Sequence, residues 1–168
     1  MTKAIDTLIR PYNPTIKLLH RKGDTDDIIQ VVLTVLSDNR NDVKDLAKTF
    51  SKDYDGLKEV FYLVKDNIEY MEDPDGGQWI QTPSYLWHKS QVGDCKSFTV
   101  FIASILHHMK IPYIIRFVSF DKSKTPSHVY PIAVLKGKQV ILDAVYQWFD
   151  AEKPFTYNHD FAHKAFIK

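Results

Sequence analysis

A single cysteine, Cys95, is all the thiol this chain has, so no internal disulfide is available to hold it together. Lone cysteines of this kind agree with a reducing compartment. Charge of one sign is equally scarce: 22 basic against 21 acidic side chains leave a net charge of +1. That balance leaves no electrostatic footprint for nucleic acid or an anionic membrane, so a partner has to be recognised by shape and specific contacts. Long apolar runs are also missing. No segment approaches the ~18 apolar residues of a membrane-spanning helix, and Lys3, Asp6, Arg10 and Pro11 break up the start before it attains signal-peptide length. The expectation is a cytoplasmic chain. The six glycines form no phosphate-cradling loop, and neither internal repeats nor low-complexity tracts are found.

What is present suffices for a core. The chain has 168 residues, 44% of them hydrophobic and 13% aromatic, which is the content of one domain. Residues 1–23, with Pro11, Pro14 and Gly23, read as an N-terminal arm carrying an apolar patch at Ile16, Leu18 and Leu19. Residues 24–92 read as helical with an extended loop, residues 93–146 as a helix and sheet, and residues 147–168 as a tail without a clean period. Helical spacing places Ile28, Ile29, Val32, Leu33 and Leu36 on one face of a helix capped near Asp24–Asp26 and ending about Ser37. It places Val43, Leu46, Ala47 and Phe50 on a second helix, and Leu57, Val60, Phe61, Val64 and Ile68 on a third that stops before Pro74. Gln78 to Pro83 is expected to be extended and Pro83 to His88 to form a short helix. From Cys95, the residues Phe98, Phe101, Ile102, Ile105, Leu106 and Met109 form one stripe with the sulfur at its edge.

After Pro112 the composition turns to β-branched and aromatic residues. Tyr113–Phe120, His128–Leu135 and Gln139–Val145 read as strands, the last two joined by a short connection at Lys136-Gly137-Lys138. Helices followed by consecutive strands predict an α+β domain whose sheet is antiparallel. A hairpin centred on Gly137 sets His128 opposite position 146, which leaves Asp143 three residues out of step; a bulge, twist or other register has to close that gap.

Three residues in this order can do chemistry. Cys95 follows Gly93-Asp94 at the head of a helix, where unpaired N–H groups and a nearby imidazole favour a thiolate. Gly93 permits a sharp turn before it, and the Cys95 N–H is a natural donor to a developing oxyanion. His128 enters one strand and Asp143 lies in the next, so the carboxylate is available to orient the ring. Singly, each residue has an ordinary explanation as core filling, a surface histidine, a helix cap or a strand-end charge. Their conjunction is what argues for a nucleophile, a base and an orienter.

The residues that carry this pattern resemble a transglutaminase-like domain of the papain-like cysteine peptidase superfamily. The resemblance covers roughly residues 55–146, through Asp66-Asn67-Ile68-Glu69-Tyr70, Gly93-Asp94-Cys95, Leu106 to Pro112, Ser127-His128-Val129 and Leu142-Asp143-Ala144. It implies a papain-like core, a Cys95-His128-Asp143 triad, acyl transfer through a thioester, no cofactor, no metal, and a protein or peptide substrate. Lys96 stands where many relatives have an acid, and Val129 separates His128 from the aromatic Tyr130. Relatives draw a second oxyanion donor from an upstream Gln or Trp; Gln78, Trp79, Gln81 and Gln91 qualify by type, and Ile80-Gln81-Thr82-Pro83 favours Gln81. Amide hydrolysis is expected ahead of glutamine transamidation or a non-catalytic module that retains the fold.

Other groupings are weaker. His159 and His163 lack the Glu of a zinc-protease motif. His107 and His108 suit a helix C-terminus. Trp79, Tyr85, Trp87, Tyr146, Trp148 and Phe149 are candidates for a cleft or for core, and the loop from Asp121 to Ser127 is a candidate rim.

Overall fold

The computed structural model describes residues 2–13, 19–20, 25–74 and 78–162. A short α1 (Thr2–Asp6) is followed by β1 (Leu19–His20) and by α2 (Thr25–Asn39), which buries Ile29, Val32 and Leu36 as the periodicity predicts and Val35 besides, with Ile28 and Leu33 half-buried. Ile16, Leu18 and His163 lie outside the described residues. The second expected helix does not form. Arg40–Val43 and Leu46–Thr49 are separate 3₁₀ turns instead. Their backbone is committed elsewhere: Asp42 O accepts from Arg10 N at 2.7 Å, and Leu46 N donates to Leu8 O at 3.2 Å. The buried Asp42 carboxylate also accepts from Ser84 N at 3.2 Å, so an unbroken α ladder would forfeit these links.

The third helix, α3 (Tyr54–Asn67), is capped by Asp53, whose side chain accepts from Gly56 N, and it buries Leu57, Val60, Phe61 and Val64. It leads into β2 (Glu69–Tyr70), and β3 (Trp79–Ile80) pairs antiparallel with β1. Pro83, at the first position permitted to it, opens α4 (Pro83–Tyr85), which widens into a π turn over Leu86–Ser90. Then β4 (Val92–Gly93) runs parallel to β2.

The central element is α5 (Cys95–Met109). The expected stripe is buried, and so are Val100, Ala103 and Ser104 on the other sides, because helices and sheet enclose it. Four antiparallel strands follow in the order β7-β6-β5-β8: β5 (Tyr113–Ser119), β6 (His128–Leu135), β7 (Lys138–Ile141) and β8 (Tyr157–Ala162). The architecture is α+β, as expected. Tyr113, Ile115, Phe117, Val129 and Ala133 belong to the main core with α5, while Val118, Tyr130, Ile132 and Ile141 form a second apolar cluster joined by Phe155. Strand β8 was hidden in the tail because an edge strand exposed on most positions shows no clean alternation.

The hairpin corrects the expected register. Leu135 faces Lys138, so the turn is the two residues Lys136 and Gly137, with φ of 51° and 79°. Positive φ at both positions is the type I′ geometry that matches strand twist. Shifting the centre by this fraction of a residue changes which face Asp143 shares. Among the described residues no helix is long and apolar enough to cross a membrane.

Candidate active site

Gly93 brings β4 to α5. Tyr70 pairs with Gly93 across the parallel β2–β4 contact, and Met71 N donates to Gly93 O at 3.0 Å. Sharp turning is not what needs glycine here: a Cβ would stand 2.8 Å from Leu86 Cδ1 and 3.2 Å from Ser97 Cβ, so the requirement is space. Asp94 is the N-cap of α5, its Oδ1 accepting from Lys96 N at 3.0 Å and Ser97 N at 3.1 Å. This cap does not engage the Cys95 N–H, which remains at the cavity end of the helix.

Lys96 has an explanation that the sequence lacked. Its ammonium pairs with Asp94 Oδ2 and, at 3.1 Å, with Asp73 Oδ2, all three side chains being largely buried. Burial depresses the lysine, and the charges of Asp94, Cys95 and Asp73 more than restore it, leaving it raised. Burial likewise raises Asp94 against the opposing pull of Lys96. Asp73 also accepts from Trp79 N at 2.7 Å, which ties Asp73 to the start of β3. Asp73 sits in a run of turn formers, where no periodicity marks a buried role.

His128 begins β6 opposite Val118 and is only 9% exposed. Its Nε2 donates to Asp143 Oδ2 at 2.6 Å. Asp143 is not in a strand, since β7 ends at Ile141 and the chain curls through a turn in which Tyr146 N donates to Asp143 O at 3.0 Å. The observed register, carried two residues beyond the strand, sets Asp143 across from Tyr130, on the His128 face and one diagonal step from the ring. No bulge is needed. Burial alone depresses the imidazole, but the hydrogen bond to Asp143 and the neighbouring Cys95, together with the charges of both, push it up to about 9. With Nε2 held by Asp143, Nδ1 is the nitrogen left for the sulfur.

Cys95 and His128 line a cavity of about 300 Å³ with Tyr70, Gln78 and Phe117, and the expected rim loop contributes Pro126 and Ser127. Tyr70, which sequence reasoning left without a role, has its phenol raised to about 12 by burial and by the Cys95 charge, so it stays protonated at neutral pH. Gln81 points elsewhere: its Nε2 donates to Val92 O at 2.9 Å and its Oε1 accepts from Ser90 Oγ, which ties the loops before β4. Of the four upstream candidates, Gln78 is the one on the cavity wall. The aromatic candidates disperse. Trp87 stacks on core Phe101 and donates to Asp6 at 2.8 Å, Phe149 packs on Phe61, Trp148 is 66% exposed, and Tyr146 meets the His128 ring edge-on. His108 is lowered by burial and bonds Arg40 O at 3.0 Å, so it does not act as a cationic helix cap.

No protein-family model matches the chain, and no curated protein matches its sequence. Among solved structures, a candidate cysteine protease from Cytophaga hutchinsonii is similar over 84% of this chain and 42% of that one, at 13% identity and a TM-score of 0.43. The chain therefore spans less than half the length of that protein.

Proposed function

We propose that this protein is a transglutaminase-like cysteine hydrolase that cleaves an amide or peptide bond through a thioester on Cys95. One observation carries the reading: a buried imidazole held by Asp143 at 2.6 Å shares a cavity wall with the cysteine that heads α5, and that cysteine helps to raise the ring. An imidazolium that persists to about pH 9 is the natural counter-ion of a thiolate at neutral pH. Helix α5 adds its positive end.

In the reaction, Cys95 Sγ adds to the substrate carbonyl carbon, and the carbonyl π pair becomes an oxyanion. The Cys95 N–H donates to that oxygen, with the Gln78 amide as the proposed second donor in place of Gln81. Collapse breaks the C–N bond as imidazolium His128 gives its proton to the leaving amine. A water then attacks the thioester while neutral His128 takes its proton, and the carboxylic acid leaves with Cys95 restored. Asp143 holds the ring in the tautomer that both halves require. The chain is proposed to do this as one domain, on a protein or peptide.

The test is to trap the acyl-enzyme from a peptide mixture at low pH and identify the adduct by mass spectrometry. An acyl group on Cys95 in the wild type and none in Cys95→Ala supports the reading. A wild-type chain that stays unmodified while keeping its fold contradicts it. Incorporation of a primary amine into a glutamine-containing protein, with no hydrolysis, would replace hydrolysis by transamidation.

A further inference from the structure

The segment 150–156 crosses the outer side of the sheet and is pinned at both ends to elements that carry the site. At one end Asp150, with φ of 57°, donates from its N–H to Ile141 O at 3.1 Å and accepts from Ile141 N at 2.9 Å. Ile141 is the last residue of β7, two before Asp143. At the other end Thr156 donates from its N–H and its hydroxyl to Ser119 O, at 2.9 and 3.0 Å, next to Phe120. Between these pins Phe155 joins the second apolar cluster beneath the Arg116 guanidinium, 5.5 Å from its ring centre.

Two adjacent residues of the segment reach the rings that flank the imidazole. Glu152 Oε1 accepts from Tyr130 OH at 2.6 Å and is anchored by Arg116 Nη1 at 2.8 Å, while Arg116 grips Asp160 through Nε and Nη2 at 2.8 and 2.7 Å. The Lys153 ammonium sits over Phe120, 4.4 Å from the ring centre. The Tyr130 and Phe120 rings lie 5.5 and 5.9 Å from that of His128, tilted by 38° and 31°. We infer that segment 150–156 is a clamp on the His128 ring, with Glu152 and Lys153 as positioning residues that fix Tyr130 and Phe120 and so hold the imidazole on Asp143. Its catalytic meaning rests on the proposed role of His128, but the clamp is measurable without turnover.

The physical step is short. A hydrogen bond of 2.6 Å tolerates little ring rotation, and the rings on either side limit that rotation. The groups that face His128 are Asp143 from the turn after β7, Cys95 from α5, Tyr130 from its own strand and Tyr146 edge-on. Lys153 and Glu152 touch none of its atoms directly and work through the aromatic pair.

The experiment is an NMR titration of the His128 ring nitrogens in the full chain. Lys153→Met separates positioning from simple charge, since loss of a nearby cation raises an imidazole midpoint, whereas a loosened bond to Asp143 lowers it. The expected result is a fall of about half a unit or more, with Lys153→Arg staying near the wild type. Tyr130→Phe, which removes no charge, moves the midpoint the same way. A Lys153→Met midpoint that is unchanged or raised, or a Tyr130→Phe midpoint that matches the wild type, overturns the clamp. Lys153 is exposed, so its variants are expected to fold. Failure of the acyl-enzyme experiment would leave these midpoints as they are, so the two claims fail separately.

Discussion

His128 and Asp143 meet at a sheet edge to which only His128 belongs. The histidine opens β6, whereas the aspartate stands two residues past the end of β7, and the two-residue Lys136-Gly137 turn is what puts both on one face. Replacing Asp143 by Asn keeps the size of the side chain, removes the negative charge and adds an NH2 donor that can favour the wrong ring tautomer. Turnover is expected to fall by about 10³–10⁴ with the fold intact. A kinetic comparison beside far-UV circular dichroism checks this, and a fall of less than tenfold would remove Asp143 from the machinery.

The hairpin itself is testable. Gly137 at φ 79° has open space around its missing Cβ, so Gly137→Val costs backbone strain alone, about 1–2 kcal/mol. Lys136→Asn, which suits the same turn type, should raise stability by a few tenths of a kcal/mol. Urea denaturation of the two variants is expected to give opposite signs.

Lys96 neutralises two carboxylates in a nearly dry setting. Lys96→Met leaves Asp94 and Asp73 facing each other without a cation, and a loss of about 3–5 kcal/mol is expected. Asp94→Asn retains a capping oxygen and should cost less. Equal losses in the two variants would contradict the view that two facing carboxylates left without a cation are the main cost.

Stability should also report the histidine. The folded midpoint near 9 lies above the ordinary 6.5, so the contribution of His128 is present in full below about pH 6.5 and disappears as pH rises through 9. Its size is on the order of a few kcal/mol. Between pH 6 and pH 10 the wild type should lose stability that His128→Gln does not lose. Parallel curves would contradict the shift.

Legibility in the sequence followed the range of the forces involved. Helix α5, with Cys95 at its head, was readable because an apolar stripe and an Asp cap are local signals, and β5 and β6 were readable from their β-branched composition. The 3₁₀ turns near Asp42 were not, because hydrogen bonds to Leu8 and from Arg10 and Ser84 decide them. Gln81 was chosen because Ile80-Gln81-Thr82-Pro83 resembles an element of relatives, a likeness that says nothing of where an amide is already bonded. Asp73 escaped notice because its partner, Lys96, lies far along the chain in a segment read only as helix. The offset of Asp143 turned on whether the turn centres on Gly137 or between Lys136 and Gly137, a distinction finer than residue pattern provides.

The rate of Cys95 alkylation by iodoacetamide as a function of pH, in the wild type and in His128→Gln, addresses the central pairing most directly. At pH 6 the wild type should react at least about tenfold faster than an unperturbed thiol, and His128→Gln should lose that advantage. A wild-type rate at pH 6 no greater than that of a simple thiol, unaffected by the histidine, would contradict the account.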